Sequence, residues 1–210
     1  MNARWPRRGL YAITPDEPDT GRLLARVEPV LRAGATWLQY RNKAADDDLR
    51  AEQAIALLPL CRGWGVPLII NDDWALAAAI GADGAHLGRD DGEIALARHE
   101  LGPEALLGAS CYADLRLARQ ALFAGADYVA FGAFFPSATK PDAVAAPLAV
   151  LEEAAALGLP RVAIGGITPD NAGKPIAMGA ELVAVVGAVF DAPDPVAAAR
   201  ALVSRYTGSP

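Results

Sequence analysis

The 210-residue chain is acidic, with 19 Lys and Arg against 25 Asp and Glu and a formal net charge of −6. An acidic surface argues against general binding to nucleic acids or anionic membranes, both of which need a basic face. Hydrophobic residues make up 53% of the chain, enough to bury a substantial core. If the ligands are phosphates, their charge must be met locally by a few placed cations, helix N-termini or a metal.

The cysteines and the termini indicate a cytoplasmic protein. Cys61 and Cys111 have no paired spacing, so neither a disulfide framework nor a zinc site is predicted. The basic N-terminus leads directly into a strand-like run ending at Thr14-Pro15, without the apolar core of a signal peptide. The longest apolar stretch, residues 182–190, is too short to span a bilayer.

Short apolar runs alternate along the chain with longer helical patterns. The runs are continuous rather than alternating, which is typical of strands buried on both faces of a parallel sheet. The predicted strands are 10–13, 37–40, 67–70, 84–87, 106–110, 128–131, 162–164 and 182–186. Helices are predicted between them, for example over 46–60, 114–124, 148–157 and 195–206.

Glycines mark the predicted ends of several of these helices. Gly34, Gly125 and Gly179 each stand where a helix would end in a left-handed residue, a few positions before the next strand. Eight strands and about eight helices, without a linker or a change in composition, predict an α/β fold: a single (β/α)8 TIM barrel over residues 1–210. An open doubly wound sheet is the alternative, but no GxGxxG follows the first strand.

In such a barrel, functional residues are expected on the loops at the carboxyl ends of the strands. The second strand ends in Gln39-Tyr40-Arg41-Asn42-Lys43, and alternation places Gln39, Arg41 and Lys43 on one side. Two cations and an amide there suit a diphosphate, which Arg contacts with a forked guanidinium and Lys as a point charge. From this short motif alone, an ordinary solvated loop is favoured over a diphosphate site, because short charged motifs are common by chance.

Acidic residues follow the third and fourth strands, as Asn71-Asp72-Asp73 and as Asp90-Asp91. Carboxylates on adjacent strand exits can share one Mg2+, which usually takes one or two carboxylates plus waters and phosphate oxygens. Helix N-capping is the alternative, since Asp favours the first turn and both clusters precede helices. A metal would also supply the cation that an acidic chain needs to hold a diphosphate.

Two residues at strand ends are weak candidates for chemistry. His86, beside Leu87, is predicted to be a packed, hydrogen-bonded core residue rather than a base. Cys111 follows Ser110 at a strand exit and is a candidate for lining the site. It has no evident His partner, so a nucleophilic role is not expected.

The loop after the sixth strand offers donors for a phosphate. Ser137, Thr139 and Lys140 stand on a Pro-bounded segment that would serve as a phosphate clamp, with an ordinary turn as the alternative. Phe134 and Phe135, just before it, are expected in the core or the pocket wall.

Small residues mark the exits of the last two strands. The seventh strand ends in Gly165-Gly166, where backbone N–H groups can approach a ligand closely, and Thr168 or Asp170 can cap the helix behind. The eighth ends near Gly187. Barrel phosphate sites commonly use these two loops, so phosphate binding is favoured over tight turns alone.

Eight segments together resemble the thiamine-phosphate synthases. They span residues 10–190 in the family's order and spacing and read LYAITP, LQYRNK, LIINDD, GAHLGRDD, LGASCY, GADYVAFGAFFPSATKP, VAIGGITPDNA and VAVVGAVF. The resemblance implies a Mg2+-dependent transferase. It would join 4-amino-5-hydroxymethyl-2-methylpyrimidine diphosphate to 4-methyl-5-(2-hydroxyethyl)thiazole phosphate, releasing diphosphate through a pyrimidine-methyl cation.

The resemblance also assigns roles residue by residue. It implies small phosphorylated substrates as partners, with no nucleic acid or membrane, and leaves a homo-oligomer open. Asp72 and Asp91 match the magnesium ligands, and the matching catalytic residues are Arg41, Lys43, Ser110 and Lys140. The pyrimidine-diphosphate positions are Gln39, Tyr40, Arg41, Asn42, Lys43, Asn71, Ser110 and Lys140. The thiazole-phosphate positions are Ser137, Ala138, Thr139, Gly166, Val186 and Gly187.

The chain departs from the family at several pocket positions. The Ser-x-His usual after the fifth strand is here Ser110-Cys111-Tyr112, and a Ser common at the eighth exit is Gly187. Many members have Glu, Arg and Gln where this chain has Asn42, Asp73 and Arg89.

The sequence is also compatible with rival functions. A thiazole tautomerase or regulatory branch shares the fold, but tends to lack the acid at Asp91 and to use the histidine that Tyr112 replaces. A non-catalytic phosphate-binding barrel would need no paired acids. A phosphosugar isomerase would need a base at a strand exit, and the sequence offers no convincing one.

Overall fold

The computed structural model describes residues 8–89, 93–136 and 145–207. Eight parallel strands form a closed barrel in chain order, and β8 pairs with β1 through Leu182 and Gly9. The closure confirms the barrel and excludes the open sheet. The strands are β1 Gly9–Ile13, β2 Trp37–Tyr40, β3 Leu68–Asn71, β4 Gly84–Leu87, β5 Leu106–Tyr112, β6 Tyr128–Phe131, β7 Arg161–Ile164 and β8 Leu182–Val185.

Helices surround the barrel and agree with the predicted segments to within a few residues. They are α1 Thr20–Arg32, α2 Asp47–Trp64, α3 Trp74–Ile80, α4 Ile94–Leu101, α5 Leu115–Phe123, α6 Ala149–Glu153, α7 Gly173–Ala177, α8 Gly187–Phe190 and α9 Pro195–Thr207. A 3-10 turn, Ala154–Leu157, continues α6. Gly34, Gly125 and Gly179 have φ of 103°, 98° and 93°, which confirms the predicted stops. Within the described part of the chain, no helix is long and apolar enough to cross a membrane.

Alternation along the strands separates two cores. One fills the barrel and includes Tyr11, Trp37 and Tyr128, which are at most 1% exposed. The other lies between the strands and the helices. Cys111 belongs to this outer core, where burial raises the pKa of its thiol to about 12. Its candidacy for lining the site was therefore wrong, because its side chain points away from the barrel axis.

Candidate active site

Inward-facing polar residues gather near the carboxyl ends of the strands, an end called here the mouth. Gln39 on β2, His86 on β4 and Ser110 on β5 lie there, and Asn71 ends β3 opposite His86 in the strand register. Gln39 and His86 are only 3% and 7% exposed, so they form the floor of the mouth rather than its rim. The structure thus brings together three predicted site residues and His86.

The backbone after β2 is held by two residues of the loop after β1. The buried Thr14 hydroxyl accepts from the Arg41 N–H and donates to the Arg41 carbonyl, both at 2.8 Å. Asp16 Oδ1 accepts from Arg41 Nη1 at 3.1 Å and from the Lys43 N–H at 2.8 Å. The two cations predicted for the diphosphate are therefore positioned by contacts from the loop after β1.

Tyr40 and Asn42 have their side chains on the other side of β2. The Tyr40 hydroxyl donates to Gln53 Oε1 on α2 at 2.9 Å. Asn42 Nδ2 donates to the same oxygen at 3.0 Å and to the Glu17 carbonyl at 2.8 Å. These side chains pack against α2, so the roles predicted for them at the pyrimidine diphosphate would fall to their backbone groups.

The two acids after β3 have different environments. Asp73 is the N-cap of α3, where its carboxylate accepts from the Leu76 N–H at 2.8 Å. Asp72 has a left-handed backbone, φ 65°, and its carboxylate lies 3.2 Å from Lys43 Nζ. Capping therefore explains Asp73, whereas the Asp72 carboxylate meets a predicted diphosphate contact at the mouth. Asp91 lies outside the described residues.

The donor chemistry at Asp72 fits a hard cation. No group of three or more His, Cys, Asp or Glu residues suited to a metal occurs among residues 8–89, 93–136 and 145–207. Mg2+ does not require such a group, because it often binds through one or two carboxylates with waters and phosphate oxygens. Asp72 is one such carboxylate, and its ion pair with Lys43 shows that a cation can sit beside it.

His86 joins Ser110 to the interior of the barrel. Its Nε2 lies 2.9 Å from Ser110 Oγ and its Nδ1 lies 3.1 Å from the Tyr128 hydroxyl. Burial lowers the pKa of His86 to about 4, although the charge of Asp72 opposes the shift. The ring is therefore neutral near pH 7, in accord with the packed, hydrogen-bonded core residue predicted from the sequence.

The exit of β7 is closely packed against the segment after β6. Gly166 has φ 61°, and a Cβ there would lie 2.3 Å from the Pro136 carbonyl oxygen. The Asn171 side chain bridges this turn by donating to the Gly166 carbonyl and accepting from the Thr168 N–H, both at 2.9 Å. Asn171, rather than the expected Thr168 or Asp170 cap, thus organises the loop, and α7 begins after Ala172 without a side-chain cap.

Two of the remaining residues predicted to bind phosphate lie at the end of β8, and the others lie in a segment that is not among the described residues. Val186 and Gly187 stand at the start of α8. Ser137, Ala138, Thr139 and Lys140 lie outside the described residues. Phe134, which leads toward that segment, is buried in the outer core, so it belongs to the core rather than the pocket wall.

Two positions that depart from the family contact each other. The Arg89 guanidinium lies 4.9 Å from the centre of the Tyr112 ring, a distance suited to a cation–π interaction. Tyr112 is half-exposed and has a left-handed backbone, φ 55°. The replacements thus form one contact between the exits of β4 and β5.

The sequence did not reveal the side chains that contact the predicted site residues from within the protein and position them. Thr14 and Asp16 position Arg41, and Tyr11 and Tyr128 lie in the hydrogen-bonded chain beneath Ser110. Thr14 carried a readable signal, because it is a hydroxyl at a strand exit. The tyrosines carried none, since an aromatic residue in an apolar strand indicates core.

A closed (β/α)8 barrel with polar side chains gathered at the carboxyl ends of its strands is the architecture of a TIM-barrel enzyme. Comparison with known proteins narrows this class. The family model described as thiamine monophosphate synthase matches residues 10–189, and the chain belongs to that family. It is accordingly a transferase of the thiamine-phosphate synthase type.

Individual relatives support this membership over nearly the whole chain. A thiamine-phosphate synthase of Methylobacillus flagellatus is 60% identical over 195 residues, covering 93% of both chains. One from Xanthomonas campestris pv. campestris is 58% identical over 200 residues, 95% of this chain and 96% of the relative. The solved thiamine phosphate pyrophosphorylase of Pyrococcus furiosus is 33% identical, with a TM-score of 0.86 and 98% coverage of both chains.

Proposed function

We propose that this enzyme condenses 4-amino-5-hydroxymethyl-2-methylpyrimidine diphosphate with 4-methyl-5-(2-hydroxyethyl)thiazole phosphate. The carbon–oxygen bond to the diphosphate breaks, and the thiazole nitrogen bonds to the pyrimidine-methyl carbon, giving thiamine phosphate and diphosphate. The observation that carries the proposal is the meeting of Lys43 and Asp72 at the mouth. It joins a cation suited to phosphate and a carboxylate suited to Mg2+ in a chain of the thiamine monophosphate synthase family.

The pyrimidine diphosphate is assigned to the exits of β2, β3 and β5. Arg41 and Lys43 offset the charge that develops on the departing diphosphate, in positions set by Thr14 and Asp16. Gln39, Asn71 and Ser110 line the inner side of the same mouth and orient the pyrimidine. Lys140 joins this group in the proposal on the family resemblance alone.

The thiazole phosphate is assigned to the exits of β6, β7 and β8. Gly166 has a left-handed backbone that packs against the Pro136 carbonyl, and its tight turn is bridged by Asn171. Val186 and Gly187 contribute backbone N–H groups at the start of α8. Ser137 and Thr139 complete the proposed site on the resemblance.

We propose Asp72 and Asp91 as the residues that hold Mg2+. When bound there, the ion would neutralise the diphosphate and so make it a better leaving group. In this proposal the chemistry otherwise depends on the positions and charges of the residues at the mouth, and no covalent nucleophile is required. A cytoplasmic location is part of the same proposal, consistent with two free buried thiols, Cys61 and Cys111.

A coupling assay tests the proposed reaction. The purified protein is incubated with both substrates and Mg2+, and thiamine phosphate is measured by chromatography. A matched reaction contains EDTA in place of Mg2+, and circular dichroism checks that the protein is folded. We expect product with the metal and a large loss without it. Folded protein that forms no thiamine phosphate would overturn the proposal, and equal rates in EDTA would reject the metal.

A further inference from the structure

A chain of hydrogen bonds crosses the barrel beneath the mouth and connects two residues assigned to the pyrimidine. Gln39 Nε2 donates to the Tyr11 hydroxyl at 2.8 Å, and that hydroxyl lies 2.8 Å from the Tyr128 hydroxyl. The chain continues from Tyr128 to His86 and from His86 to Ser110. It links β2 to β5 through the barrel interior rather than along the sheet.

The barrel is shaped to hold the central member of this chain. A Cβ at position 108 would lie 2.0 Å from Tyr128 Cζ and 2.4 Å from its hydroxyl oxygen, so only glycine leaves room for the ring. Tyr128 is fully buried and packs edge-on against Tyr11 at 6.0 Å and Trp37 at 5.0 Å between ring centres. Burial raises the pKa of Tyr11 and of Tyr128, so both hydroxyls keep their protons.

Gln39, the donor at one end, determines the direction in which each hydrogen bond of this series is donated. Because a tyrosine has one hydroxyl proton, Tyr11 accepts from Gln39 and donates its own proton to Tyr128. Tyr128 then donates to His86 Nδ1, which makes Nδ1 the acceptor of a neutral imidazole. His86 therefore carries its proton on Nε2 and donates it to Ser110 Oγ.

The opposite direction would be unfavourable. If Tyr128 donated to Tyr11, the Tyr11 oxygen would accept from both Gln39 and Tyr128. The described residues that bond to this hydroxyl would then offer no acceptor for its own buried proton. An unsatisfied buried donor costs about 1–3 kcal/mol, which disfavours this arrangement.

We propose that Tyr11, Tyr128 and His86 are positioning residues that fill the acceptor site of the Ser110 hydroxyl from below and leave its proton to be donated to the pyrimidine diphosphate. This assignment rests on the function proposed above for its ligand. Ser110 thereby becomes a fixed donor instead of a freely rotating hydroxyl. A hydroxyl that already accepts a hydrogen bond is also a stronger donor, since hydrogen bonds in a chain polarise one another.

The tautomer of His86 tests the direction without any substrate. Nitrogen-15 NMR of the ligand-free enzyme, labelled at histidine, reports which ring nitrogen carries the proton. His86 and His99 are the chain's two histidines, and a His99→Gln variant assigns the signals. We expect Nε2 protonated and Nδ1 bare at pH 7. A proton on Nδ1 would overturn the proposal, even if the enzyme proves to be a synthase.

A double-mutant cycle tests the link to Ser110. Tyr128→Phe keeps the ring and removes the hydroxyl, and Ser110→Ala removes the final donor. Binding of the pyrimidine diphosphate with Mg2+ is measured by calorimetry for both single variants and the double variant. We expect each single variant to weaken binding about tenfold, the size of one hydrogen bond to a charged group. The double variant should lose little more, because both changes remove the same interaction.

Tyr206→Phe is the matched control, since it removes a buried hydroxyl that has no hydrogen-bond partner among the described residues. Wild-type binding in that variant would show that losing a buried tyrosine hydroxyl is harmless in itself. Additive losses at Tyr128 and Ser110, or undiminished binding in Tyr128→Phe, would contradict the coupling. If the wild type does not bind the pyrimidine diphosphate, the proposed function fails, while the NMR result still decides the tautomer.

Discussion

Lys43 Nζ lies 3.2 Å from Asp72 Oδ2, across the exits of β2 and β3. The Lys43 side chain is 58% exposed, and a solvent-exposed ion pair of this kind contributes about 0–1 kcal/mol to stability. Asp72 also adopts a left-handed backbone that costs a non-glycine residue energy. The fold therefore gains little from this pair, and its value is expected in ligand binding.

Replacing Asp72 by Asn should impair catalysis without unfolding the protein. The side chain keeps its shape but loses the charge offered to Mg2+, so we expect the rate to fall by about 100-fold or more. The thermal midpoint should change little, because the carboxylate is partly exposed. Initial rates over a range of Mg2+ concentrations measure the effect.

Asp73→Asn is the control for that variant, because it changes the adjacent acid. Asp73 caps α3, and Asn is an equally good N-cap, so stability should stay within about 0.5 kcal/mol. Its activity should resemble that of the wild type. Equal loss in both variants would show that general negative charge, rather than the Asp72 carboxylate, matters at this exit.

Asp91→Ala tests the second proposed ligand. We expect turnover to be nearly abolished with little loss of folding, because a metal ligand at a strand exit is not part of the core. Thermal unfolding and rate measurements on one preparation separate the two properties. Wild-type turnover would reject the metal role, and a large drop in the thermal midpoint would indicate helix capping instead.

Replacing Thr14 by Val should disturb the positions of Arg41 and Lys43 after the end of β2. The variant keeps the shape of a fully buried residue but removes both hydrogen bonds to the Arg41 backbone, at a cost of about 1–3 kcal/mol. The KM for the pyrimidine diphosphate should rise more than that for the thiazole phosphate. Thr14→Ser restores the hydroxyl and should recover both values. A Ser variant as impaired as Val would indicate that the methyl group, not the hydroxyl, matters.

Gly166→Ala should destabilise the protein by about 2 kcal/mol or more, since it adds left-handed strain of about 1–2 kcal/mol and a steric clash. The added Cβ would meet two carbonyl oxygens, of Pro136 at 2.3 Å and Phe135 at 2.5 Å. Gly158→Ala is the control, because Gly158 has a similar φ of 69° with nothing within 4 Å. Urea unfolding of both variants isolates the clash. Equal losses would mean that the loop after β6 moves aside freely.

His86 should make the stability of the metal-free enzyme depend on pH. Its pKa is about 4 when folded and 6.5 ordinarily, so between these values the unfolded chain binds more protons. Stability should therefore be complete above about pH 6.5 and fall as the pH drops toward 4, by about 3 kcal/mol from this residue. Urea unfolding at several pH values measures the slope. His86→Asn should flatten it, and His99→Gln should not.

The strands were predictable because they are buried on both faces and read as continuous apolar runs. Trp37–Tyr40, Gly84–Leu87 and Tyr128–Phe131 have the bounds predicted from the sequence. Strand β5 runs two residues further than expected, to Tyr112, through an irregularity in its pairing with β6. An apolar pattern cannot reveal such an irregularity, because it depends on the neighbouring strand.

Side-chain direction at the mouth was predictable only in part. Alternation placed Gln39 correctly inside the barrel, where it meets Tyr11. The family match then added Tyr40 and Asn42, whose side chains the same alternation directs toward Gln53. The contacts from Thr14 to Arg41 and from Tyr128 to His86 join residues 27 and 42 positions apart. The first contact joins the exits of the paired strands β1 and β2, and the second joins β4 and β6 inside the barrel, so both depend on the tertiary structure.

The aromatic layer of Tyr11, Trp37 and Tyr128 also limits how molecules move through this enzyme. The three rings pack at 5.0–6.0 Å between centres and fill the barrel axis directly under the mouth. A ligand bound at the mouth thus has no exit along the axis and must depart through the opening by which it entered. In the proposed reaction both substrates and both products therefore use the same opening, so the shape of the barrel constrains the order in which they bind and leave.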